Sequence, residues 1–384
     1  MLENQKHLFS LKEDIYYLNC AYKAPLLKSA EAAAIADLVK QRNPANLLPT
    51  DYFKEAEEVR ELFGRLVNSK PSEVAIIPST SYGFSSVLNN ISCKEGQHAI
   101  TVESEFPSDY FSIERWCKTH QAELKVISPD ANSNSIAKTW NQNILDSISE
   151  QTAVVIISSV HWMSGLKFDL ARIGEKCKTV GAKFIVDGTQ SVGAIPIDVK
   201  ACKIDALICA SYKWLFGPYS VALAFIGEAF HQGIPLEETW MNRTNAQNFA
   251  QLTEYESEYT PDAGRYNVGQ VSNLTLMPML IASLQQIHEW SVEGIQLYCR
   301  ELVLPLLQYL KAIKVDLEEE TYFSHHLFSL PLPSQIDTTH FTNELKRRNI
   351  ILSVRDGKLR VSVNIFNTPK DIQQLIRAIE QNRN

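Results

Sequence analysis

The chain has 384 residues, which is long enough for two domains that each have a hydrophobic core. Apolar residues make up 45% of it and charged residues 21%, as in an ordinary globular protein, and the net charge of -7 argues against nucleic acid as a partner. No apolar stretch is long enough to span a membrane and we expect no secretory leader, so the sequence predicts a cytoplasmic protein that does not enter the membrane.

Short apolar runs alternate with helical patterns over the first two thirds of the chain. The predicted strands are 74–77, 98–102, 124–127, 153–157, 183–186, 206–209 and 222–226. The predicted helices are 29–42, 51–68, 82–91, 108–120, 140–149 and 170–181. This alternation predicts an α/β fold with a mainly parallel seven-stranded sheet that is covered on both faces. Binding sites in such sheets form at the carboxyl ends of the strands.

The pattern changes in the last third of the chain. Helical patterns at 270–293 and 294–312 are followed by short strands and a final helix at 369–381. We therefore predict a large domain over 15–265 and a smaller α+β domain over 266–384, which includes a linking helix.

The seven cysteines are spread along the chain. None forms a Cys-x-x-Cys pair and their number is odd, so we predict reduced thiols and no disulfide framework or metal site.

An aspartate and a lysine lie one β-α-β step apart in the predicted sheet. Asp187 ends the apolar run 184–186 and precedes Gly188-Thr189-Gln190, whereas Lys213 lies in the loop Ala-Ser-Tyr-Lys-Trp. Taken alone, such a lysine is usually a solvated charge, and such an aspartate is usually a helix cap or a turn former. Together they suit a pyridoxal phosphate enzyme. The lysine amine forms a Schiff base with the cofactor aldehyde, and the carboxylate keeps the pyridine nitrogen protonated.

Two runs around these residues resemble a known family. Val-Asp-Gly-Thr-Gln-Ser-Val-Gly-Ala at 186–194 and Ser-Tyr-Lys-Trp-Leu-Phe-Gly-Pro at 211–218 resemble the class V aminotransferase family of fold-type I pyridoxal phosphate enzymes. That family includes cysteine desulfurases, selenocysteine lyases, kynureninases and isopenicillin N epimerase-like proteins, and the resemblance covers nearly the whole chain. It implies the fold-type I transferase fold, pyridoxal 5′-phosphate, an amino-acid substrate and a homodimer with shared active sites. It also implies that residues 1–14 pack on the small domain.

Four residues resemble those with which the family binds the cofactor phosphate. Thr80 and Ser81 follow a strand and open a helix, where hydroxyls and free backbone amides suit a phosphate. The same residues also suit a plain helix cap. Ser211, two residues before the lysine, would add a hydroxyl. Gln270 occupies the place from which relatives reach the phosphate of the other subunit, which implies the shared sites.

Three more positions resemble those that surround the cofactor ring. Phe106 falls where the family stacks an aromatic ring or a histidine, although a core phenylalanine is the alternative. A phenyl ring cannot move protons, so proton transfer would fall to Lys213. Trp162 stands where desulfurases generally place an asparagine, which resembles the epimerase-like and aminotransferase-like branch. Gln190 remains to bond the phenolic oxygen of the cofactor.

The substrate contacts are implied by two further segments. Arg360 resembles the arginine that clamps the substrate carboxylate, since a guanidinium matches a carboxylate with two hydrogen bonds. Arg355 is a second candidate, and a surface ion pair is the alternative for either arginine. Asn19 resembles the N-terminal segment that lines the substrate pocket.

The mobile-loop cysteine of desulfurases is missing. Only 356–359 separates the two arginine segments, and no cysteine follows Cys299. We therefore favour an aminotransferase-like enzyme that deprotonates Cα of a small amino acid. A carbon–sulfur or carbon–selenium lyase, an epimerase, a kynureninase-like hydrolase and a cofactor-bound regulatory module remain alternatives. Cys20 is the nearest alternative sulfur acceptor, although a free cysteine is most often a small buried hydrophobe.

Overall fold

The computed structural model of the chain describes residues 2–130, 132–133, 135–331 and 337–382. Its strands are β1 (Tyr16–Tyr17), β2 (Val74–Ile77), β3 (His98–Val102), β4 (Glu123–Ile127), β5 (Thr152–Ser158), β6 (Lys183–Asp187), β7 (Ala206–Ala210), β8 (Ala222–Ile226), β9 (Leu327–Pro331), β10 (Ile350–Ile351), β11 (Ser353–Arg355) and β12 (Lys358–Ser362). Its α-helices are α1 (Lys28–Gln41), α2 (Asp51–Val67), α3 (Thr80–Leu88), α4 (Pro107–His120), α5 (Ile136–Ser147), α6 (Leu170–Val180), α7 (Leu276–Trp290), α8 (Val292–Ala312), α9 (Thr338–Arg347) and α10 (Pro369–Gln381). Among these helices, none has both the length and the hydrophobicity needed to cross a membrane.

Seven strands form the central sheet, in the order β2-β8-β7-β6-β5-β3-β4. Strand β8 runs antiparallel to both of its neighbours, and the other adjacent strands are parallel. The middle strands β5, β6 and β7 are almost wholly buried and rich in valine and isoleucine, as expected for a sheet with both faces covered. The α/β fold with a mainly parallel seven-stranded sheet is confirmed.

Alternate residues of each central strand face two separate hydrophobic layers. In β5, for example, Val154 and Ile156 belong to the layer beneath α3 and α4, whereas Val155 and Ile157 belong to the layer that includes α2, α6 and α7. This division follows from the two-residue period of a strand. The two layers hold helices against both faces of the sheet. The edge at which the parallel strands end is not covered by these layers and can form a site.

The C-terminal third of the chain forms a second, smaller arrangement. Strands β11, β12 and β9 make an antiparallel sheet in that order. The N-terminal segment crosses to this part of the chain, since the backbone nitrogen of Gln5 donates to the Ile365 oxygen over 2.9 Å and β1 pairs with β10. These contacts extend beyond residue 14. The division into domains at residues 15 and 265 stays a prediction.

The predicted strand ends all lie within one residue of the observed ends. The predicted helix over 270–293 is wrong at both ends, because α7 begins at Leu276 and ends at Trp290. Gln270 has a left-handed backbone with φ of 58°, and the Asn273 side chain accepts a hydrogen bond from the Leu276 amide over 3.0 Å. At the other end Ser291, with φ of 57°, breaks the helix and caps α8.

Candidate active site

The carboxyl ends of three central strands meet at one edge of the sheet. Strand β5 ends at Ser158, β6 at Asp187 and β7 at Ala210, and α3 opens at Thr80 shortly after β2. Because β5, β6 and β7 are parallel, their ends lie side by side and line a pocket. We call it the inner pocket, and its lining includes Thr80, Phe106, Asp187, Gln190, Tyr212 and Lys213.

A second and more open pocket adjoins the first. We call it the outer pocket, and the residues particular to it include Tyr22, Lys23, Tyr219, Arg355 and Arg360. The two pockets share Phe106, Trp162, Tyr212 and Lys213. The outer pocket has a volume of about 290 Å³. Lys213 therefore lies where the two pockets join.

Lys213 is buried, with its Nζ 5.5 Å from the centroid of the Phe106 ring. Burial lowers the pKa of Lys213 to about 8. The negative charge of Asp187 raises this pKa, whereas the positive charge of Arg360 lowers it, as burial does. A lysine with this pKa loses its proton more readily near neutral pH than an ordinary lysine does. Its amine can then act as a nucleophile or as a base.

The loop that carries Lys213 is fixed by its neighbours. The indole Nε1 of Trp214 donates to Oε1 of Gln190 over 2.8 Å. Gly193 lies so close to this loop that a Cβ there would stand 2.6 Å from the Trp214 carbonyl oxygen, and its φ is 87°. Only glycine tolerates both the contact and the backbone conformation. The turn after β6 and the lysine loop thus pack directly on each other.

Asp187 is buried at the end of β6. Its Oδ1 accepts a hydrogen bond from the Thr189 backbone nitrogen over 2.7 Å, and the Thr189 hydroxyl accepts one from the Ala210 nitrogen over 3.1 Å. These bonds orient the carboxylate. Within the described chain no amide donates to the other oxygen, Oδ2, which leaves it available to a ligand.

The first turn of α3 borders the inner pocket. Ser79 is the helix cap, since its Oγ accepts a hydrogen bond from the Tyr82 nitrogen over 3.2 Å. The first amides of a helix have no partner within it and attract anions. Thr80 lines the pocket, and the Ser81 hydroxyl lies 3.0 Å from that of Ser79. The helix cap is therefore Ser79 and not Thr80 or Ser81, which could bind a phosphate.

Two aromatic side chains form an apolar wall that both pockets share. The rings of Phe106 and Trp162 meet edge to face, with centroids 5.5 Å apart and planes at 86°. The indole Nε1 of Trp162 donates to the Ser104 carbonyl oxygen over 2.8 Å, which fixes the ring. Neither side chain can exchange protons with a ligand, so this wall can only stack on it and exclude water.

Two arginines enter the outer pocket from neighbouring strands. Arg360 on β12 is buried and donates through NH1 to the Trp162 carbonyl oxygen over 3.0 Å, but its buried Nε has no acceptor. Arg355 on β11 is half-buried and donates to the Val354 oxygen over 2.9 Å. Because an unsatisfied buried donor is costly, a ligand carboxylate would be a favourable partner for Arg360.

Four residues predicted for the site line neither pocket, namely Ser81, which neighbours Thr80 at the start of α3, and Ser211, Asn19 and Gln270. The Ser211 hydroxyl lies 2.7 Å from two backbone carbonyl oxygens of its own loop, so its proton is directed into the loop. The Asn19 Oδ1 accepts a hydrogen bond from the Ser353 hydroxyl over 2.8 Å, and residues 21–23 line the outer pocket instead. Gln270 is exposed on the loop before α7. Spacing along the chain does not reveal the direction in which a loop side chain points.

Gln190 lines the inner pocket, but most of its amide is already engaged. Its Oε1 accepts from Trp214, and its Nε2 donates to the Ala21 oxygen over 3.2 Å. One N–H group of Nε2 remains for a ligand.

Two buried acids that were not predicted from the sequence lie beside the inner pocket. Glu105 accepts hydrogen bonds from the backbone nitrogens of Phe106 and Ser158 over 2.8 and 2.7 Å, and burial raises its pKa to about 7. Asp109 is fully buried in the first turn of α4, and neither of its carboxyl oxygens has a donor. Burial first, and then the charge of Asp187, raise the pKa of Asp109 well above its ordinary value.

Asp109 therefore holds a proton. Its carboxyl lies close to that of Asp187, and no hydrogen-bond donor of the described residues is available to stabilise a negative charge on Asp109 in this buried place. One signal could have found these acids. They flank Phe106 and Pro107 at a strand-to-helix junction, and the sequence analysis considered only the aromatic ring there.

The groups around the two pockets fit pyridoxal phosphate. The amides and hydroxyls at the start of α3 could bind its phosphate, and the Asp187 carboxylate could hold its ring nitrogen. The amine of Lys213 could bond to its aldehyde, and the Phe106 ring could cover its ring face.

Comparisons with known proteins find a family model and relatives that match most of the chain. The sequence matches the family model described as Aminotransferase class-V over residues 45–378. An uncharacterized aminotransferase of Bacillus subtilis, YcbU, is 22% identical over 357 residues, which cover 92% of this chain and 91% of the relative. A kynureninase of Bacillus mycoides is 23% identical over 348 residues, which cover 86% and 78%.

Solved structures share the fold across the whole chain. A C-DES variant with glycine covalently linked to its pyridoxal phosphate superimposes with a TM-score of 0.86 at 18% identity and covers 98% of both chains. A cysteine desulfurase of Thermococcus onnurineus superimposes with a TM-score of 0.81 at 16% identity and covers 99% of this chain and 98% of its own. These likenesses confirm the predicted fold-type I architecture.

The proton on Asp109 gives a testable pH dependence. An acid with a raised pKa stabilises the folded chain fully below its unfolded pKa, and this stability is lost as the pH rises towards its folded pKa. In Asp109→Asn, the free energy of unfolding should therefore fall less steeply with pH above 3.8, the ordinary aspartate value. Urea unfolding of the cofactor-free protein at a series of pH values measures this slope.

The same change at an exposed aspartate, Asp146→Asn, is the matched control and should leave the slope as in the wild type. If Asp109→Asn were as pH-dependent as the wild type, Asp109 would be ionised in the folded chain.

Proposed function

Since the chain belongs to the class V aminotransferase family and takes pyridoxal 5′-phosphate as its cofactor, we propose that it transfers the amino group of a small amino acid. One observation supports this proposal above the others: Lys213 and Arg360 line the same pocket. A residue able to remove a proton thus lies beside one able to hold a carboxylate. Reactions at the α-carbon of an amino acid require both.

Each group that would hold the cofactor has a separate task. Bound pyridoxal phosphate would supply an aldehyde that captures an amino group and a ring that withdraws electrons from Cα. Lys213 would hold the aldehyde and Asp187 the ring nitrogen. The first-turn amides of α3, with Thr80 and Ser81, would hold the phosphate. Phe106 would cover the ring and keep water from it.

Lys213 is the proposed base. A general base works best when its pKa is near the working pH, and burial brings the pKa of Lys213 to about 8. Its Nζ lies at the junction of the pockets, where it faces both the cofactor groups and the substrate groups. The amine would accept the proton from Cα and return it to another atom of the same complex.

Arg360 is the proposed carboxylate clamp. Its NH1 is fixed by the Trp162 carbonyl oxygen, and its buried Nε lacks an acceptor. Burial lowers the pKa of Arg360 to about 10, so the side chain is still charged at neutral pH. A substrate carboxylate would satisfy the free donor and neutralise the charge.

Amino transfer fits the pocket lining better than epimerisation does. Epimerisation needs a second acid or base that returns the proton from the other face of Cα. The wall of Phe106 and Trp162 offers none, and burial raises the pKa of Tyr212, which makes its phenol a weaker acid. A reaction in which one base takes and returns the proton needs only Lys213. A carbon–sulfur or carbon–selenium lyase also needs one base and is the second candidate.

A panel of amino acids distinguishes these reactions. We expect keto acid to form from an amino acid when a keto-acid acceptor is present, without sulfide and without racemised product. In Lys213→Arg the rate should fall roughly 10²-fold or more, as expected for loss of a general base. Lys200→Arg, at an exposed position, is the matched control and should keep the wild-type rate. Sulfide released without an acceptor would establish the lyase, and racemised product would establish the epimerase.

The burial and the raised pKa of the Cys20 thiol disfavour sulfur transfer through a persulfide on this residue. Cys20 lies in the core, 3.6 Å from the Asn364 Nδ2, and burial raises its pKa to about 12. A catalytic thiol needs access and a lowered pKa.

After incubation with cysteine and no reductant, mass spectrometry should therefore find no protein-bound sulfane sulfur, in wild type or in Cys20→Ser. A stoichiometric persulfide on any cysteine would contradict the proposal and put a desulfurase first.

We also propose a homodimer in which each subunit completes the other's site. Gln270 is exposed on the loop before α7, far along the chain from its own lysine loop, and would reach the partner's phosphate. Lys213→Ala and Gln270→Glu should each be inactive alone. Mixed dimers should regain activity, because one of their two sites then has an intact Lys213 and an intact Gln270. Full activity from a single chain would contradict this arrangement.

A further inference from the structure

The outer pocket is unusually rich in positive charge. Besides Lys213 it is lined by Lys23, Arg355 and Arg360, and no carboxylate of the described residues lines it. Most of its other lining is aromatic, with Tyr22 and Tyr219 at the exposed side. A pocket that combines several cations with low-polarity walls concentrates anions.

The two guanidinium groups have no acidic partner. Among the ion pairs of the described chain none includes Arg355, Arg360 or Lys23. Within the described residues, the hydrogen bonds of both arginines go to backbone carbonyl oxygens alone. After burial, the charge of Arg355 is the next cause that lowers the pKa of Arg360, so the two cations repel each other. A ligand with negative charge relieves this repulsion.

Nearby acids do not neutralise the pair. Glu103 and Asp356 line an adjoining cavity that Arg355 also borders, together with Trp140 and Met163. Neither acid forms an ion pair with Arg355 within the part of the chain that the structure describes. Arg355 is half-buried and Lys23 is exposed, so both can turn towards a ligand in the outer pocket.

One carboxylate does not account for all three cations. In the proposed function the α-carboxylate of the substrate meets Arg360, whose buried Nε lacks an acceptor. Arg355 and Lys23 then remain without a counter-charge in the same pocket. We propose that the substrate carries a second anionic group on its side chain, a carboxylate or a group of similar charge, and that Arg355 and Lys23 bind it. This inference rests on the proposed function, because it assumes that an amino acid or its keto acid occupies the pocket.

Binding of matched acids to the holoenzyme tests the inference without any turnover. Isothermal titration calorimetry compares succinate with butanoate and glutarate with pentanoate, pairs that differ only in the second carboxylate. We expect at least one dicarboxylate to bind roughly tenfold or more tightly than its monocarboxylate, as a hydrogen-bonded charge pair predicts. Arg355→Gln should remove this preference and leave monocarboxylate binding within about twofold, since Arg360 is intact.

Arg115→Gln is the matched control, because Arg115 is exposed on α4 and forms no ion pair in the described chain. It should bind both classes of acid as the wild type does. Equal binding of mono- and dicarboxylates by the wild type would overturn the second anion site. An equal loss of both classes in Arg355→Gln would also overturn it, because a single carboxylate would then span both arginines. Keto-acid formation in the amino-acid panel tests the proposed function separately, so the two failures are distinguishable.

Discussion

The burial of Lys213 between an acidic wall and a basic wall is the constraint on which the site depends. The charge of Asp187 favours the charged form of the amine, whereas burial and Arg360 favour the neutral form. The result is a lysine with a pKa of about 8 inside the protein. Neither influence alone would give this value, because the Asp187 carboxylate alone would keep the amine charged and burial with Arg360 alone would lower its pKa further.

The acidic wall is itself balanced by a proton and by backbone amides. Glu105 accepts two amide hydrogen bonds and Asp187 accepts one, whereas Asp109 accepts none. The proton therefore stays on Asp109, and the Asp187 carboxyl lies in the inner pocket, where it could meet a cationic ring nitrogen. Close packing of the turn at Gly193 on the lysine loop holds these groups in place. A rigid arrangement of this kind costs little further ordering when a ligand binds.

The strands of the sheet and the proximity of Asp187 and Lys213 could be predicted from the sequence. The directions of several loop side chains could not. Strands such as 74–77 and 222–226 were predicted to the residue, because continuous buried apolar runs have few alternatives. The proximity of Asp187 and Lys213 follows from parallel strands. Ser211 and Asn19 were placed by position along the chain, and local hydrogen bonds turn their side chains away from the pockets.

The buried acids Glu105 and Asp109 were not predicted for a related reason. Their burial depends on the packing of α4 against the sheet, which a short polar motif does not reveal. The start of α7 was missed because a left-handed residue and a side-chain cap, rather than a loss of hydrophobic pattern, set it.

The central claim is that Lys213 carries the cofactor. Borohydride reduction of the holoenzyme, followed by peptide mapping with mass spectrometry, tests it most directly. The account predicts one reduced pyridoxyl group per chain, attached to the peptide that contains Lys213. A group attached to any other lysine, or a chain that binds the cofactor without covalent attachment, would contradict it.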